Sequence, residues 1–299
     1  MRYRPPPIPP EAGESAEGEA AYLLEDGFTE TPTGGLADKI RRRGRLRFKL
    51  GLDPTAPRVT WGWSVVLRRL SRAQELGHTA VLIIGDFTAQ VGDPSGRSET
   101  RRRLSVEEVE GYVRSCLDAL LRILSPDHLE VRRNSEWLAT MGMEDVLRLA
   151  SRTTVAQMLD RDDFKNRFVS HEPISVIEFL YPLLQAQDSV EVEADVELGG
   201  TDQYFNLLLG RDLQEQAGQE PQVAYCAPLL VGTDGHKKMS QSLGNYIAVD
   251  DSASEIFGRA MSTPDTAMEQ YLRLATDLPP ADVDRLLAEL RRRNRWLLV

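Results

Sequence analysis

The chain has 299 residues, of which 41% are hydrophobic and 27% charged, with a formal net charge of −10. This length and apolar content suit one large α/β domain with a small helical annex. The sequence contains no run of 18 apolar residues and no charged, apolar leader, which predicts a soluble, cytoplasmic protein without a membrane segment. The acidic balance argues mildly against a dominant nucleic-acid-binding surface, although charge can be segregated.

Cysteine and histidine are sparse. Cys116 lies in a helical pattern and Cys226 in an apolar strand, which predicts two buried, reduced thiols rather than a disulfide. The four histidines are scattered without ligand spacing, so we predict no structural metal.

Composition changes along the chain predict three regions. Residues 1–35 are rich in Pro, Glu and Gly, which is typical of a mobile arm, with a short helix near 20–24. Residues 36–250 carry the α/β pattern, interrupted by a helical insertion at about 135–190. Residues 251–299 are helical in pattern and form the start of a further helical region.

The first α/β unit is a strand, a turn and a helix. An apolar run over 46–52 predicts the strand, and apolar residues at helical spacing over 65–76 predict the helix. Gly and Pro punctuate the turn between them, so free backbone N–H groups at the helix start form an anion site. Asp53 and Thr55 follow the strand, where open parallel sheets bind ligands.

The next elements continue this pattern. The apolar run 79–86 predicts a buried parallel strand, and the Gly/Pro loop that follows it lacks the Gly-Lys-Ser/Thr ending of a P-loop. Ser105 and Glu108 have capping-box spacing at the start of a helix that reaches about residue 124. A short strand over 128–133 precedes helices that extend to about residue 168.

A helix over 174–187 carries three polar residues on one face. Tyr181, Gln185 and Asp188 are four and three residues apart, among apolar neighbours. Buried polar groups without partners cost about 1–3 kcal/mol each. The face is therefore either an internal hydrogen-bond network or a binding surface.

The remaining elements complete the sheet. Alternation over 190–196 predicts a strand, and the turn 198–203 leads into a helix that reaches about residue 216. A last apolar strand over 223–230 is followed by a Gly/Ser/Lys loop over 232–242. The final helix is predicted from 280 to about 293.

Five segments in order carry a family resemblance. They read GLDPTAP, LIIGDFTAQVGDPSGR, YPLLQAQD, LGGTDQYFN and PLLVGTDGHKKMSQSLGN. Together they resemble the class I tyrosyl-tRNA synthetases over about residues 36–278. The resemblance implies a Rossmann-like parallel sheet with a helical insertion, a homodimer surface within that insertion, and activation of tyrosine by ATP before its transfer to tRNA.

The resemblance also implies a tyrosine pocket. It assigns this pocket to Asp53, Asp93, Tyr181, Gln185, Asp188 and Gln203. Asp93, Tyr181 and Gln185 match the positions that hold the ammonium group, and Asp188 matches the acceptor of the phenol hydroxyl. A buried acceptor at that place disfavours phenylalanine, because phenylalanine would leave it unpaired. Relatives vary at the position of Lys49, which is therefore uninformative.

On the nucleotide side the sequence departs from the family. The resemblance assigns this side to Gly51, Gly62, Trp63 and Asp202, and catalytic groups to Thr55, Arg97, Arg101 and Lys238. Thr60 and Trp63 replace the two histidines of the His-x-Gly-His signature, and Gln241 replaces the second lysine of Lys-Met-Ser-Lys-Ser. Each lost charge-stabilising group typically costs about 10²–10³ in rate. Three losses predict a reduction in rate of roughly 10⁵ or more, allowing for non-additivity. The same changes predict weakened binding of ATP with Mg²⁺.

Two interpretations of the indoles stay open. Trp61 and Trp63 either pack at the helix start, or one of them fills the former nucleotide site or stacks on a new occupant.

The main functional hypothesis is a repurposed synthetase core. It binds L-tyrosine or a close analogue without charging tRNA, either as a biosynthetic amino-acid ligase or as a tyrosine-binding protein. The sequence shows no S4-like RNA-binding domain, so tRNA is not expected as a partner. The alternative is a weakened but active ATP-dependent tyrosine-activating enzyme, supported by Lys238, Arg97 and Arg101. A third hypothesis, a structural subunit with a relic pocket, conflicts with the retained polar set.

Overall fold

A computed structural model describes residues 3–93 and 104–292. Its strands are β1 Thr29–Thr31, β2 Arg47–Leu52, β3 Thr79–Ile84, β4 Leu129–Arg133, β5 Val196–Gly200 and β6 Val223–Ala227. The helices in the first half are α1 Pro10–Glu14, α2 Ala16–Leu23, α3 Gly35–Arg43, α4 Trp61–Glu75, α5 Thr88–Val91 and α6 Val106–Leu120. Those of the insertion are α7 Ser135–Leu138, α8 Met143–Ala150, α9 Val155–Met158, α10 Asp162–Val169 and α11 Val176–Glu191. The last are α12 Tyr204–Gln216, α13 Ala253–Met261, α14 Met268–Ala275 and α15 Pro280–Arg292.

The described residues form one six-stranded sheet in the order β1-β6-β5-β2-β3-β4. All neighbouring strands are parallel except β1 and β6, which are antiparallel. From β2 the chain moves outward to β3 and β4, whereas from β5 it moves the opposite way to β6. The loops after β2 and β5 therefore diverge and open a crevice at the carboxyl ends of these strands.

Helices cover both faces of the sheet. In β3, Ala80, Leu82 and Ile84 pack into the core that includes α4 and α6, while Val81 and Ile83 pack against α11 and α12. A strand buried on both faces has a continuous apolar sequence, as in β3. Burial of each such side chain contributes about 1.5–3 kcal/mol.

The N-terminal region corrects one prediction. Residues 10–31 form two short helices and an edge strand that pack on the core, rather than a mobile arm. Leu23 is fully buried, and the Phe28 ring lies 5.3 Å from that of Tyr225. The Phe28 ring also contacts Arg69 on α4, whose guanidinium carbon lies 4.3 Å from the ring centroid. The few apolar side chains of this segment are placed to contact α4 and β6, which an average over its composition does not reveal.

A second prediction is wrong at one strand. The alternating residues 190–196 do not form a strand, because α11 continues to Glu191 and β5 begins only at Val196. The alternation reflects the end of the helix and the tight connection after it, where Ala194 donates its N–H to the Ser189 carbonyl.

Several other predictions are confirmed. Ser105 and Glu108 form a capping box at the start of α6, and helices α7 to α11 occupy the predicted insertion. Cys116 and Cys226 are buried free thiols, and burial raises the pKa of each to about 11. Apart from these predictions, no helix within the described parts of the chain is both long and apolar enough to cross a bilayer.

Candidate functional site

A cleft of about 1050 Å³ lies at the carboxyl ends of β2 and β5. It brings together these residues proposed from the sequence: Gly51, Asp53, Thr55, Thr60, Gly62, Trp63, Asp93, Tyr181, Gln185, Asp188, Asp202, Gln203, Lys238 and Gln241. Arg97 and Arg101 lie outside the described residues. The polar face of α11 lines one half of the cleft, and the loops before α4 and after β6 line the other. We call these the amino-acid half and the nucleotide half.

Asp188 closes the far end of the amino-acid half. Its carboxylate accepts hydrogen bonds from Trp137 Nε1 at 2.8 Å and from Asn134 Nδ2 at 3.3 Å. The side chain is buried, and burial raises the pKa of Asp188 to about 7 despite these donors and nearby Lys49. A carboxyl that two donors hold in place can accept from, or donate to, a ligand hydroxyl in the cleft.

Asp53 lies at the end of β2 and is held from two sides. Tyr181 Oη donates to Asp53 Oδ2 at 3.0 Å, and Thr88 Oγ1 donates to Oδ1 at 2.7 Å. Burial and the facing Asp53 carboxylate raise the pKa of Tyr181 well above its usual value, so its hydroxyl remains a donor. Gly85 is required beside this pair, because a Cβ there would overlap the Asp53 carboxylate.

The other predicted ammonium ligands form a connected ring. Gln203 Nε2 donates to Asp93 Oδ2 at 2.9 Å, and Arg161 Nη2 lies 3.5 Å from Asp93 Oδ1. Asn206 Nδ2 donates to Gln185 Oε1 at 2.9 Å and to Gln203 Oε1 at 3.0 Å. Acceptors for an alkylammonium group, from the loop after α5, the turn after β5 and helix α11, are therefore held in place before any ligand binds.

Behind this ring lies a buried ion pair. Lys49 Nζ lies 2.9 Å from Glu197 Oε1, and both side chains are essentially inaccessible to solvent. Glu197 Oε1 also accepts from Gln185 Nε2 at 3.2 Å. The position that the sequence left uninformative, Lys49, is thus connected to the pocket through Glu197.

The nucleotide half begins at α4. Thr60 is the N-cap residue but its side chain makes no capping hydrogen bond, and its backbone pairs with that of Ala248. Trp63 lines the cleft and packs partly against the core. Trp61 instead packs near the Tyr271 ring, at 6.3 Å, outside the cleft lining. The two indoles therefore differ, and only Trp63 narrows the nucleotide half.

The loop after β6 completes this half. Lys238 Nζ donates to Asp202 Oδ2 at 2.6 Å, across the mouth of the cleft. Gln241 Nε2 donates to the backbone carbonyl of Arg58, in the loop before α4. Gln241, which the resemblance places at the second lysine of the signature, therefore ties one loop to the other and presents no cation.

The charge of the nucleotide half is largely paired. Among the described lining residues the basic ones are Arg58 and Lys238, and Arg58 is paired with Asp250 and Asp251. In the same described residues, no group of three His, Cys, Asp or Glu side chains could hold a metal ion. Gly51 leaves open space at the cleft, and a Cβ at Gly62 would lie 3.4 Å from Thr60 Oγ1. The nucleotide half of the cleft thus has space and a helix N-terminus for a nucleotide, but both of its described basic side chains are already in ion pairs.

Sequence reasoning missed the residues that hold the pocket residues in place. These are Thr88, Asn134, Trp137, Arg161, Glu197 and Asn206. Asn134 and Trp137 share one turn, three residues apart, and a polar residue after a strand is a usable signal. Glu197 interrupts an apolar strand, which marks a buried charge in need of a partner.

Comparison with known proteins assigns the chain to a protein family. A family profile described as tRNA synthetases class I (W and Y) matches residues 41–296. The chain is 54% identical over 249 residues to the tyrosine--tRNA ligase of Thermotoga maritima, covering 83% of this chain and 62% of the relative. It is 50% identical over 276 residues to that of Dehalococcoides mccartyi strain CBDB1, covering 92% of this chain and 70% of the relative. The chain thus spans less than two thirds of the Thermotoga relative.

Solved structures share the fold. A C-terminally truncated mitochondrial tyrosyl-tRNA synthetase from Aspergillus nidulans matches with a TM-score of 0.74 at 23% identity, covering 94% of this chain and 88% of that one. A tyrosyl-tRNA synthetase from Archaeoglobus fulgidus, solved in complex with L-tyrosine, matches with a TM-score of 0.72 at 21% identity, covering 87% of this chain and 80% of that one. At these identities the likeness establishes the fold alone.

Proposed function

Because the chain belongs to the class I tyrosyl-tRNA synthetase family, we propose that it binds L-tyrosine or a close analogue and activates it with ATP at a reduced rate. The names of the relatives, all tyrosine--tRNA ligases, favour this weakened enzyme over a repurposed core that does not activate tyrosine. The observation that carries the proposal is the amino-acid half of the cleft. It holds a buried hydroxyl partner, Asp188, at one end and the ammonium ligands at the other.

Recognition follows from the two ends of this half. The phenol hydroxyl meets the Asp188 carboxyl, whose orientation Trp137 and Asn134 fix. The ammonium group meets Asp93, Gln185 and the Tyr181–Asp53 pair. Phenylalanine would bury Asp188 without a ligand partner, so tyrosine is the better ligand by a factor that reflects one lost hydrogen bond.

ATP would supply the leaving group for activation. The tyrosine carboxylate attacks the α-phosphorus, and the bond from that phosphorus to the pyrophosphate oxygen breaks. The helix N-terminus at Trp61–Trp63 and Lys238 are the described groups that could stabilise the phosphate charge. Lys238 would have to leave Asp202 to do so, which is one physical reason for a reduced rate. Mg²⁺ would be carried by the phosphates, consistent with the few protein ligands available.

Exchange of radioactive pyrophosphate into ATP tests the proposal. We expect exchange that requires L-tyrosine, that is well above the no-enzyme background, and that phenylalanine does not support. A Tyr181→Phe variant removes the hydroxyl at Asp53 without changing shape and should weaken tyrosine binding. Tyrosine binding in calorimetry without any exchange would reject ATP activation and leave the amino-acid half correctly assigned. The absence of tyrosine binding would reject the whole proposal.

A second candidate function is tyrosine binding without activation. The observation that favours it is the hydrogen bond from Gln241 to the Arg58 carbonyl, which ties together two loops that would have to surround a triphosphate. Trp63 also takes volume in the same half. In this case tyrosine would raise the melting temperature of the protein, while ATP would neither raise it further nor be consumed.

The acceptor of an activated tyrosine is a separate question. The names of the curated relatives favour tRNA, whereas this sequence carries no S4-like RNA-binding motif that would predict it as a partner. A filter assay with radioactive tyrosine and total tRNA distinguishes the two. Retained counts that depend on ATP and tRNA would make tRNA the acceptor. Exchange activity without retained counts would favour a small-molecule acceptor.

We also propose that the chain forms a homodimer through the insertion. Large apolar side chains there are exposed: Met143, Leu147, Val155, Phe168, Val169 and Val176. An exposed apolar surface of this kind is typical of a subunit contact. Sedimentation at micromolar concentration should give a dimer. Leu147→Glu should shift it toward monomer, and Leu121→Glu, at an exposed position outside the insertion, should not.

A further inference from the structure

The buried carboxylate of Glu197 controls a group that faces the cleft. Its Oε1 accepts from Lys49 Nζ at 2.9 Å and from Gln185 Nε2 at 3.2 Å. Its Oε2 accepts from Ser189 Oγ at 3.1 Å and from Gln222 Nε2. A carboxylate has about four acceptor positions, so each of these donors finds one. Glu197 does not itself line the cleft, whereas Gln185 does.

The contact with Glu197 determines the orientation of the Gln185 side-chain amide, that is, the directions in which its nitrogen and its oxygen point. A carboxylate only accepts, so the amide nitrogen must face Glu197 and the amide oxygen must face Asn206. That oxygen accepts from Asn206 Nδ2 at 2.9 Å, and a carbonyl oxygen can accept a second hydrogen bond. The reversed amide would present N–H donors to a ligand ammonium group. The orientation therefore decides whether Gln185 attracts or repels that group.

Lys49 fixes Glu197 in turn. Its three N–H groups go to Glu197, to Ser189 Oγ at 2.8 Å and to the backbone carbonyl oxygen of Gln185 at 2.9 Å. These partners lie on β5 and on α11, while Lys49 lies on β2. A charge pair with both members buried is specific because moving either member leaves the other unpaired. Lys49 thus joins the strand that carries Asp53 to the helix that carries the polar face.

We propose that Glu197, held by Lys49, is a positioning residue that keeps the Gln185 amide oxygen directed at the ammonium group of the amino-acid substrate. The inference rests on the proposed binding of tyrosine and assigns a role to two residues that do not touch it. It accounts for a fully buried ion pair between β2 and β5, directly behind the pocket. The pair acts on the α-ammonium end of the substrate through the orientation of the Gln185 amide.

The test is tyrosine affinity in a set of variants. Glu197→Gln keeps the shape but removes the carboxylate that selects the Gln185 orientation, and we expect the Kd for L-tyrosine to rise about 10- to 100-fold. Gln222→Met is the matched control. It removes the donor to Glu197 Oε2 without removing a partner of Lys49 or of the Gln185 amide, so it should lower the melting temperature and leave the tyrosine Kd near the parent value.

A double variant separates positioning from a structural role. In Glu197→Gln/Gln185→Glu the charge moves to position 185, where it can still pair with Lys49. A carboxylate there presents an acceptor to the cleft in either orientation. We expect this variant to recover most of the tyrosine affinity that Glu197→Gln loses. If Glu197→Gln does not fold, Glu197→Asp, which keeps the charge and shortens the reach to Gln185, takes its place.

The outcomes are distinct. A parent protein that does not bind tyrosine rejects the proposed function and this inference with it. A parent that binds tyrosine, with Glu197→Gln binding as tightly, rejects the positioning role alone. Loss of affinity in Glu197→Gln without recovery in the double variant also rejects it, because a purely structural role predicts that result. Loss followed by recovery supports it.

Discussion

The amino-acid half of the cleft is formed by residues within or next to regular secondary structure, whereas the nucleotide half is formed mostly by two loops. In the first, Asp53 follows β2 and Tyr181, Gln185 and Asp188 lie on α11, each hydrogen-bonded to other protein groups. In the second, the loops before α4 and after β6 are held by the Gln241–Arg58 and Lys238–Asp202 contacts. Groups on packed elements keep their geometry without ligand, whereas groups on loops must exchange partners to act.

The difference bears on where the resemblance predicts change in this chain. The residues that the sequence analysis predicts to depart from the family signatures, Thr60, Trp63 and Gln241, all line the nucleotide half. The amino-acid half retains each polar group that the resemblance predicted, and these groups support one another. Removing one of them would leave a buried partner unsatisfied at about 1–3 kcal/mol, whereas a loop residue can be replaced at lower cost to the fold.

The largest expected effect comes from restoring the nucleotide half. The triple variant Thr60→His/Trp63→His/Gln241→Lys should raise tyrosine-dependent pyrophosphate exchange by at least about 10²–10³, which is a partial recovery of the roughly 10⁵ that three lost groups predict. It restores charge beside the helix N-terminus, frees the second loop from the Arg58 carbonyl and reopens the volume of Trp63. Single reversions should do little, because groups that act on one transition state are not additive.

A neighbouring tryptophan provides the control for this variant. Trp61→His changes an indole that packs near Tyr271 rather than in the cleft, so it should not raise exchange. A parent protein that already exchanges pyrophosphate at the rate of the triple variant would contradict the view that these three substitutions weaken the site.

Removing the acceptor of the phenol hydroxyl should weaken tyrosine binding selectively. Asp188→Ala is expected to weaken L-tyrosine binding by about 1–3 kcal/mol and to leave phenylalanine nearly unchanged, because only the phenol uses this group. Calorimetric titration of the parent and the variant with each amino acid measures the change in affinity for tyrosine and for phenylalanine separately. Asp188→Asn keeps an acceptor for Trp137 Nε1 and guards against a general loss of structure. Equal affinity of the parent protein for both amino acids would contradict the assignment.

The pH dependence of stability reports on the same carboxyl. Burial raises the pKa of Asp188 from 3.8 to about 7, so the folded protein holds a proton there between about pH 4 and pH 7 that the unfolded chain has lost. The free energy of unfolding therefore falls as the pH rises through this window. Relative to Asp188→Asn, the free energy of unfolding of the parent should fall by about 2 kcal/mol between pH 5 and pH 7. Urea unfolding at several pH values measures this, and parallel curves would contradict it.

The smallest expected effect concerns the tie between the loops. Gln241→Met removes the hydrogen bond to the Arg58 carbonyl while keeping a similar side-chain volume. We expect a loss of about 0.5–1.5 kcal/mol in local stability and faster amide hydrogen exchange over residues 232–244. Amides of α11, such as those around Tyr181, serve as the internal reference and should be unchanged. Unchanged exchange in the loop would show that other contacts hold it.

Much of the fold followed from local pattern. The run 79–86 predicted β3, the Ser105–Glu108 spacing predicted the start of α6, and the insertion was located by its helical periodicity. The N-terminal segment and residues 190–196 were misjudged. In the first, a few apolar side chains pack on α4 and β6, and in the second a helix end resembles strand alternation. Both errors arise where packing overrides composition or period.

For the site, the sequence by itself determined which polar residues share a face. Tyr181, Gln185 and Asp188 must project from one face because helical geometry is local. Asp53 must lie at the carboxyl ends of the parallel strands because it directly follows β2. Only the tertiary structure decided what holds them. Glu197 is 148 residues from Lys49, and Asp188 is 54 from Asn134. Such pairs form only after the sheet has packed against α11, since a hydrogen bond requires atoms within about 3 Å and local periodicity carries no information about distant partners.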